Sequence, residues 1–263
     1  LLIVLLVIKI FQITCFDKQK NNFRNILLIL PLIAFCLTLK TYFLPYILIG
    51  LSLFLLNDKI FKIFKIIFFS KPFLIFISSL FIYFFHHFIS TGCIISPISS
   101  TCFGDNLNWA HDKEHYQRLS NWLERWSKAG AGPNFRVENP ITYIQNFNWL
   151  PRWFEYYFMG KAKDQLLILM TIFLVTFLLF KKFKVKLNTS IISKEISFFY
   201  IIIIVIFFMW FINHPQLRYG GYSICFLTIS IPIALLFQNF ESKKLFEKNL
   251  KFLIIFIIVI FNL

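Results

Sequence analysis

The sequence predicts an all-α fold, a polytopic bundle of transmembrane helices with one large, mainly helical extracytoplasmic loop domain. Three observations predict it. Of 263 residues, 58% are hydrophobic and 37 are Phe, with a mean hydropathy of +0.72, beyond what a soluble domain of this length carries. Apolar runs of helical length alternate with short Lys/Arg clusters. Between them lies one long stretch, Thr91 to Asp164, that is polar and close to charge balance. The chain therefore divides into N-terminal membrane helices (1–90), an extracytoplasmic loop domain (91–164) and C-terminal membrane helices (165–263).

The net charge of +15 does not point to nucleic acid. The excess Lys and Arg sits between apolar runs, as in cytoplasmic membrane loops. Five Cys without a CxxC exclude a disulfide scaffold and a thioredoxin-like site. The partners implied are membrane lipids, with no nucleic acid.

Leu1 to Thr14 is an apolar run without a charged leader, read as part of a span. Ile26 to Leu39 and Tyr42 to Leu56 form two short runs divided by Lys40 and Thr41, compatible with a spanning or a re-entrant hairpin. Pro72 to Ile89 crosses, Gln165 to Phe180 crosses back, Ile196 to Asn213 crosses outward and Tyr222 to Gln238 returns. Phe252 to Leu263 is short for a crossing, so elements are expected to continue beyond both termini. Counted through these spans, the clusters around Lys18, Lys59, Lys181 and Lys243 share one side, which the positive-inside rule makes cytoplasmic. Thr91 to Asp164 and His214 to Gly221 then share the outer face of an inner (plasma) membrane.

Within the outer stretch, Trp109, Tyr116, Leu119, Leu123 and Trp126 recur at helical spacing and predict an amphipathic helix from about Asn106 to Lys128. Ala129-Gly130-Ala131-Gly132-Pro133 ends it, and Asn139-Pro140 opens a second helix. Trp149 to Phe158, dense in aromatics just before a span, reads as an interfacial helix that anchors the protein or stacks on a sugar ring or acyl chain.

Cys93 and Cys102 are disulfide candidates on the outer face, while Cys15, Cys36 and Cys225 are expected to stay free. His111-Asp112-Lys113-Glu114-His115 matches H-x-x-E-H, which makes His111 and His115 weak candidates for a metal and Glu114 for a base; no third ligand stands at a known spacing. His214-Pro215-Gln216-Leu217-Arg218-Tyr219-Gly220-Gly221 follows a span directly. It places Arg218 at headgroup level, either snorkelling to lipid or gripping a phosphate through a bidentate fork.

Ser90-Thr91-Gly92 leading to Pro97, and Pro215-x-x-Arg218-Tyr219-Gly220 leading to a span with Pro232, resemble a family of uncharacterised polytopic bacterial membrane proteins. That layout is similar to the C-type (GT-C) membrane glycosyltransferases. The resemblance implies a cell-envelope enzyme using a polyprenyl-phosphate-linked sugar, with Arg218, Tyr219 and His214 as substrate contacts. The carboxylate such enzymes carry in a first outer loop has no counterpart before Asp105, leaving Asp105 and Glu114 as weak catalytic candidates. No cofactor is implied, and a divalent cation is compatible with the chemistry. A transporter or flippase, or a non-catalytic membrane scaffold, is the alternative, although the complete spans hold few of the mid-membrane charges that ion-coupled carriers use.

Overall fold

The computed structural model describes residues 2–15, 22–55, 66–130, 132, 137, 139–182, 194–228 and 230, and all regular secondary structure among them is helical. In chain order the helices are α1 (Leu2–Cys15), α2 (Asn22–Thr38), α3 (Ile47–Leu55), α4 (Lys71–Thr91), α5 (Lys113–Lys128), α6 (Pro140–Ile144), α7 (Leu150–Trp153), α8 (Lys163–Lys182) and α9 (Lys194–Asn213). A 3₁₀ turn, Thr41–Tyr46, joins α2 to α3, and a π-helical stretch, Phe154–Ala162, joins α7 to α8. A second 3₁₀ turn, Leu217–Tyr219, follows α9, and residues 222–228 are again helical. The rest of the Tyr222–Gln238 run, Phe252–Leu263 and most of the Lys/Arg clusters lie outside the described residues.

The first three helices and α9 pack around rings and branched aliphatics. Phe11 of α1 lies 5.1 Å from Phe199 and 5.3 Å from Phe226, flanked by buried Val7, Ile10, Ile33, Ile49 and Ile203. Such a core is glued by dispersion and ring geometry. The outward faces are equally apolar. On α2, Leu28, Leu32 and Phe35 are exposed, and on α4 so are Leu74, Ile75, Ile77, Phe81, Ile82, Phe85 and Ile89. Helix α4 and residues Ile196–Asn213 of α9 are long and apolar enough to cross a membrane.

Helix α4 is delimited by its ends. The Ser70 hydroxyl accepts from the Phe73 N–H at 3.3 Å, Pro72 stands in the first turn, and Gly92 closes the helix at φ 73°, a backbone setting that a side chain disfavours. Beyond it Cys93 and Cys102 are joined by a disulfide. The Tyr116 hydroxyl donates to the Thr91 carbonyl at 2.6 Å, seating α5 on the end of α4.

Helix α5 begins at Lys113 and not near Asn106, because Asp112 takes the N-cap and accepts from the His115 N–H at 2.8 Å. His111 therefore precedes the helix, and the two imidazoles of the H-x-x-E-H segment are not one helical turn apart. The expected second helix starts at Pro140, with Asn139 at its N-cap. The aromatic segment after it is not a separate helix: α7, the π-helical stretch and α8 run on continuously, with Trp149, Trp153 and Tyr157 buried while Phe154, Tyr156 and Met159 are exposed.

The tip of the α2–α3 hairpin reaches the end of the bundle where α4 and α9 finish. Thr41 Oγ1 donates to the Ser96 carbonyl at 3.0 Å, and the Tyr46 hydroxyl donates to the Gly220 carbonyl at 2.5 Å. The two hairpin segments, Leu27–Thr38 and Thr41–Ser52, are apolar but shorter than α4 and α9. At the other end, Lys71, Lys181, Lys182 and Lys194 mark the termini of α4, α8 and α9.

Candidate functional site

Four segments converge where α9 ends: the hairpin tip, the last turns of α5, the π-helical stretch and residues 214–221. The turn is held from three directions. Trp153 Nε1 donates to the Pro215 carbonyl at 2.6 Å, Trp210 Nε1 to the Gln216 carbonyl at 2.6 Å, and the Leu217 N–H to the Tyr157 hydroxyl at 2.8 Å. The π-helical winding lies beside this turn, as such windings often do at functional sites. Gly220 takes φ 115°, and a Cβ on Gly221 would come within 2.8 Å of Leu217 Cα. The second glycine therefore makes room for the protein's own backbone and not for a ligand.

Arg218 and Tyr219 are brought together with α5. The guanidinium lies 4.3 Å from the Trp126 ring centroid and 4.9 Å from that of Tyr219, while one of its N–H groups donates to the Tyr219 hydroxyl at 3.2 Å. The side chain remains exposed. Stacking fixes the plane of the guanidinium, whereas a snorkelling chain would be free to sample many rotamers.

Next to it, Lys128 is 3% exposed. It is ion-paired with Glu124 one helical turn back, and its ammonium lies 5.3 Å from the Trp149 centroid. A buried ammonium is tolerated only when paired in this way. His214 stands beside the pair, its ring 4.7 Å from Tyr42 and 5.9 Å from Tyr219. Burial pushes the imidazole down to about 4, with Glu124 opposing the shift and Lys128 reinforcing it.

The other sequence-derived candidates lie elsewhere. Asp105 pairs with Lys113 at 3.6 Å and Glu114 with Arg118 at 2.8 Å, both exposed. Twelve positions (126 − 114) separate Glu114 from Trp126, about 18 Å along a helix rising ~1.5 Å per residue. The His111 and His115 rings stack at 4.3 Å and 23°. Ring-nitrogen lone pairs lie in the ring plane, so stacked imidazoles do not aim at one ion. Among the described residues no group of three or more His, Cys, Asp or Glu side chains could hold a metal.

Glu124, Lys128, Trp126 and Tyr42 are the members of this site that sequence reasoning passed over. The Glu124/Lys128 spacing was visible as an i,i+4 pair, but such pairs are common on solvated helices. Nothing in the sequence joins Tyr42 to His214 across 172 positions (214 − 42).

The chain belongs to the family described as a domain of unknown function (DUF8201), which matches residues 1–226 and so takes in all four converging segments. No curated protein and no solved structure matches it.

Proposed function

We propose that this member of the DUF8201 family is a multi-pass membrane protein that transfers a sugar from a polyprenyl-phosphate-linked donor at the outer face of the bilayer. The membrane part rests on α2, α4 and α9, whose outward faces carry large exposed apolar side chains over their length. Water-soluble monomers rarely expose contiguous apolar surface on this scale, whereas lipid makes it costless. The exposed Phe154, Tyr156 and Met159 suit the headgroup layer, where aromatic side chains anchor.

The observation that carries the donor reading is Arg218: oriented by two rings, exposed, and set at the end of α9 where the apolar surface stops. A pre-oriented guanidinium is suited to the phosphate of a lipid whose chain runs into the bilayer. In the transfer it would meet the charge that develops on the departing phosphate.

Purified protein in lipid nanodiscs should bind radiolabelled polyprenyl phosphate. Arg218→Ala should weaken binding at least tenfold and Arg218→Lys nearly as much, because a point charge does not reproduce the planar fork. A Lys variant binding as tightly as wild type would sink the phosphate role.

A further inference from the structure

Buried polar atoms without a hydrogen-bond partner are rare in folded proteins, and each calls for an explanation, often a water or a ligand. Tyr42 Oη and His214 Nδ1 are two such atoms. They belong to one cluster of three rings, with Tyr42 and Tyr219 centroids 4.5 Å apart and His214 set edge-on to both. His214 Nδ1 has no partner within the protein, and in the neutral tautomer that carries its proton on Nε2 it presents a free lone pair. Tyr42 offers a donor, and Nδ1 offers an acceptor. A hydroxyl, which both accepts and donates, satisfies the two at once.

The same cluster adjoins the proposed phosphate site, because Tyr219 touches Tyr42 and His214 on one side and Arg218 on the other. We infer that Tyr42 and His214 form the subsite for the acceptor hydroxyl, with His214 Nδ1 taking its proton. This rests on the reading of Arg218 as the donor-phosphate site. In the step, the acceptor oxygen bonds to the anomeric carbon of the donor sugar while the bond from that carbon to the phosphate oxygen breaks. The bonding pair leaves on the polyprenyl phosphate, whose new charge Arg218 meets, and the hydroxyl proton ends on His214. The charged and titratable groups around the imidazole are Glu124 and Lys128 from α5, Tyr42 from the hairpin tip, and Tyr219 and Arg218 from its own turn. Glu124 offsets the imidazolium that forms, and the proton then passes to solvent.

The ligand class is thus an alcohol, either the hydroxyl of a growing glycan or, in the simplest assay, glycerol. Nanodisc protein would be incubated with glycerol and a panel of radiolabelled polyprenyl-phosphate hexoses and pentoses, and sugar transfer measured. His214→Gln should lower the rate about 100-fold, within the range of general-base catalysis, yet keep polyprenyl phosphate binding within about twofold of wild type. Added imidazole should restore at least about tenfold of the activity of His214→Gly, and the rescued rate should follow the pKa of free imidazole, a readout that a merely structural role would not move. Tyr42→Phe should raise the KM for glycerol about tenfold with a smaller effect on kcat.

Three outcomes would overturn the inference while leaving phosphate binding intact. These are a wild-type rate in His214→Gln, a His214→Gly enzyme that binds polyprenyl phosphate but is not rescued, and wild-type protein that binds polyprenyl phosphate but transfers sugar from no donor in the panel. Wild-type protein that does not bind polyprenyl phosphate would instead overturn the donor reading, and this one with it.

Discussion

The Arg218 guanidinium lies 4.3 Å from the Trp126 ring centroid, so the turn after α9 is seated on the last turns of α5. The contact couples two segments that the sequence separates by 92 positions (218 − 126). It also sets the direction in which the guanidinium presents its N–H groups.

Trp126→Leu should therefore weaken polyprenyl phosphate binding about three- to tenfold without abolishing it. A cation–π contact to an exposed guanidinium contributes about 0.5–1 kcal/mol, and here it also holds a rotamer. Trp126→Tyr should retain most of the binding. Equal losses for Leu and Tyr, measured by titration in nanodiscs, would remove the ring from the account.

The proposed orientation, with residues 91–164 on the outer face, makes a labelling prediction. Asn108 is exposed and lies in the outer stretch, so a cysteine there should react with an impermeant thiol reagent added to whole cells. A cysteine at Asn188, beside Lys184 and Lys186 in sequence, should react only after lysis. The opposite labelling pattern would reverse the orientation of every span.

The bridge between Cys93 and Cys102 closes a short loop, with a sequence separation of 9. Constraining a loop of that size stabilises by about 3 kcal/mol in the chain-entropy model. Cys93→Ser with Cys102→Ser should lower the apparent Tm by several degrees and expose the segment before α5 to limited proteolysis. An unchanged Tm together with an unchanged cleavage pattern would show that the bridge contributes nothing to this subdomain.

Tyr46 is a second joint between the hairpin and the turn. Its hydroxyl donates to the Gly220 carbonyl and accepts the Ser223 N–H at 2.9 Å, all in buried surroundings. Tyr46→Phe leaves both backbone groups without this partner and should cost about 1–3 kcal/mol, read as a lower Tm in detergent. Cross-linking between cysteines placed at Leu44 and Tyr222 should slow if the joint loosens. No change in either measurement would mean that other groups take up both bonds.

The helices were legible because apolar runs and basic punctuation report burial directly. Ser70 with Pro72, and Gly92 at the far end, mark α4 in the sequence itself. The apolar period extends back to Trp109, whereas the helix starts after it because Asp112 captures the His115 N–H and is the cap. Arg218, Tyr219 and His214 could be named from their position behind a span. Glu124 and Lys128 could not be assigned to the site, because an i,i+4 ion pair looks the same on a solvated face and in a buried junction. Only the packing of α5 on the start of α7, which brings Trp149 over Lys128, separates the two cases. Tyr42 shows the same limit, since its role depends on a hairpin tip meeting a turn from the far end of the chain.

The buried imidazole makes stability depend on pH with a defined sign. His214 is pushed down to about 4, first by burial, from an ordinary value of 6.5. Between those values the unfolded chain binds the proton and the folded one does not, so stability rises with pH across that window. The contribution is fully present above the ordinary histidine range and is lost as pH falls towards 4. A shift of this kind corresponds to about 1–3 kcal/mol after allowance for partial solvent contact. Apparent Tm measured at pH 7.5 and 4.5 should thus fall by several degrees more in wild type than in His214→Gln, which cannot titrate, and subtracting the two cancels the carboxylates common to both. Equal acid sensitivity in wild type and His214→Gln would mean that the imidazole is solvated and that the cluster with Tyr42 and Tyr219 does not exclude water from it.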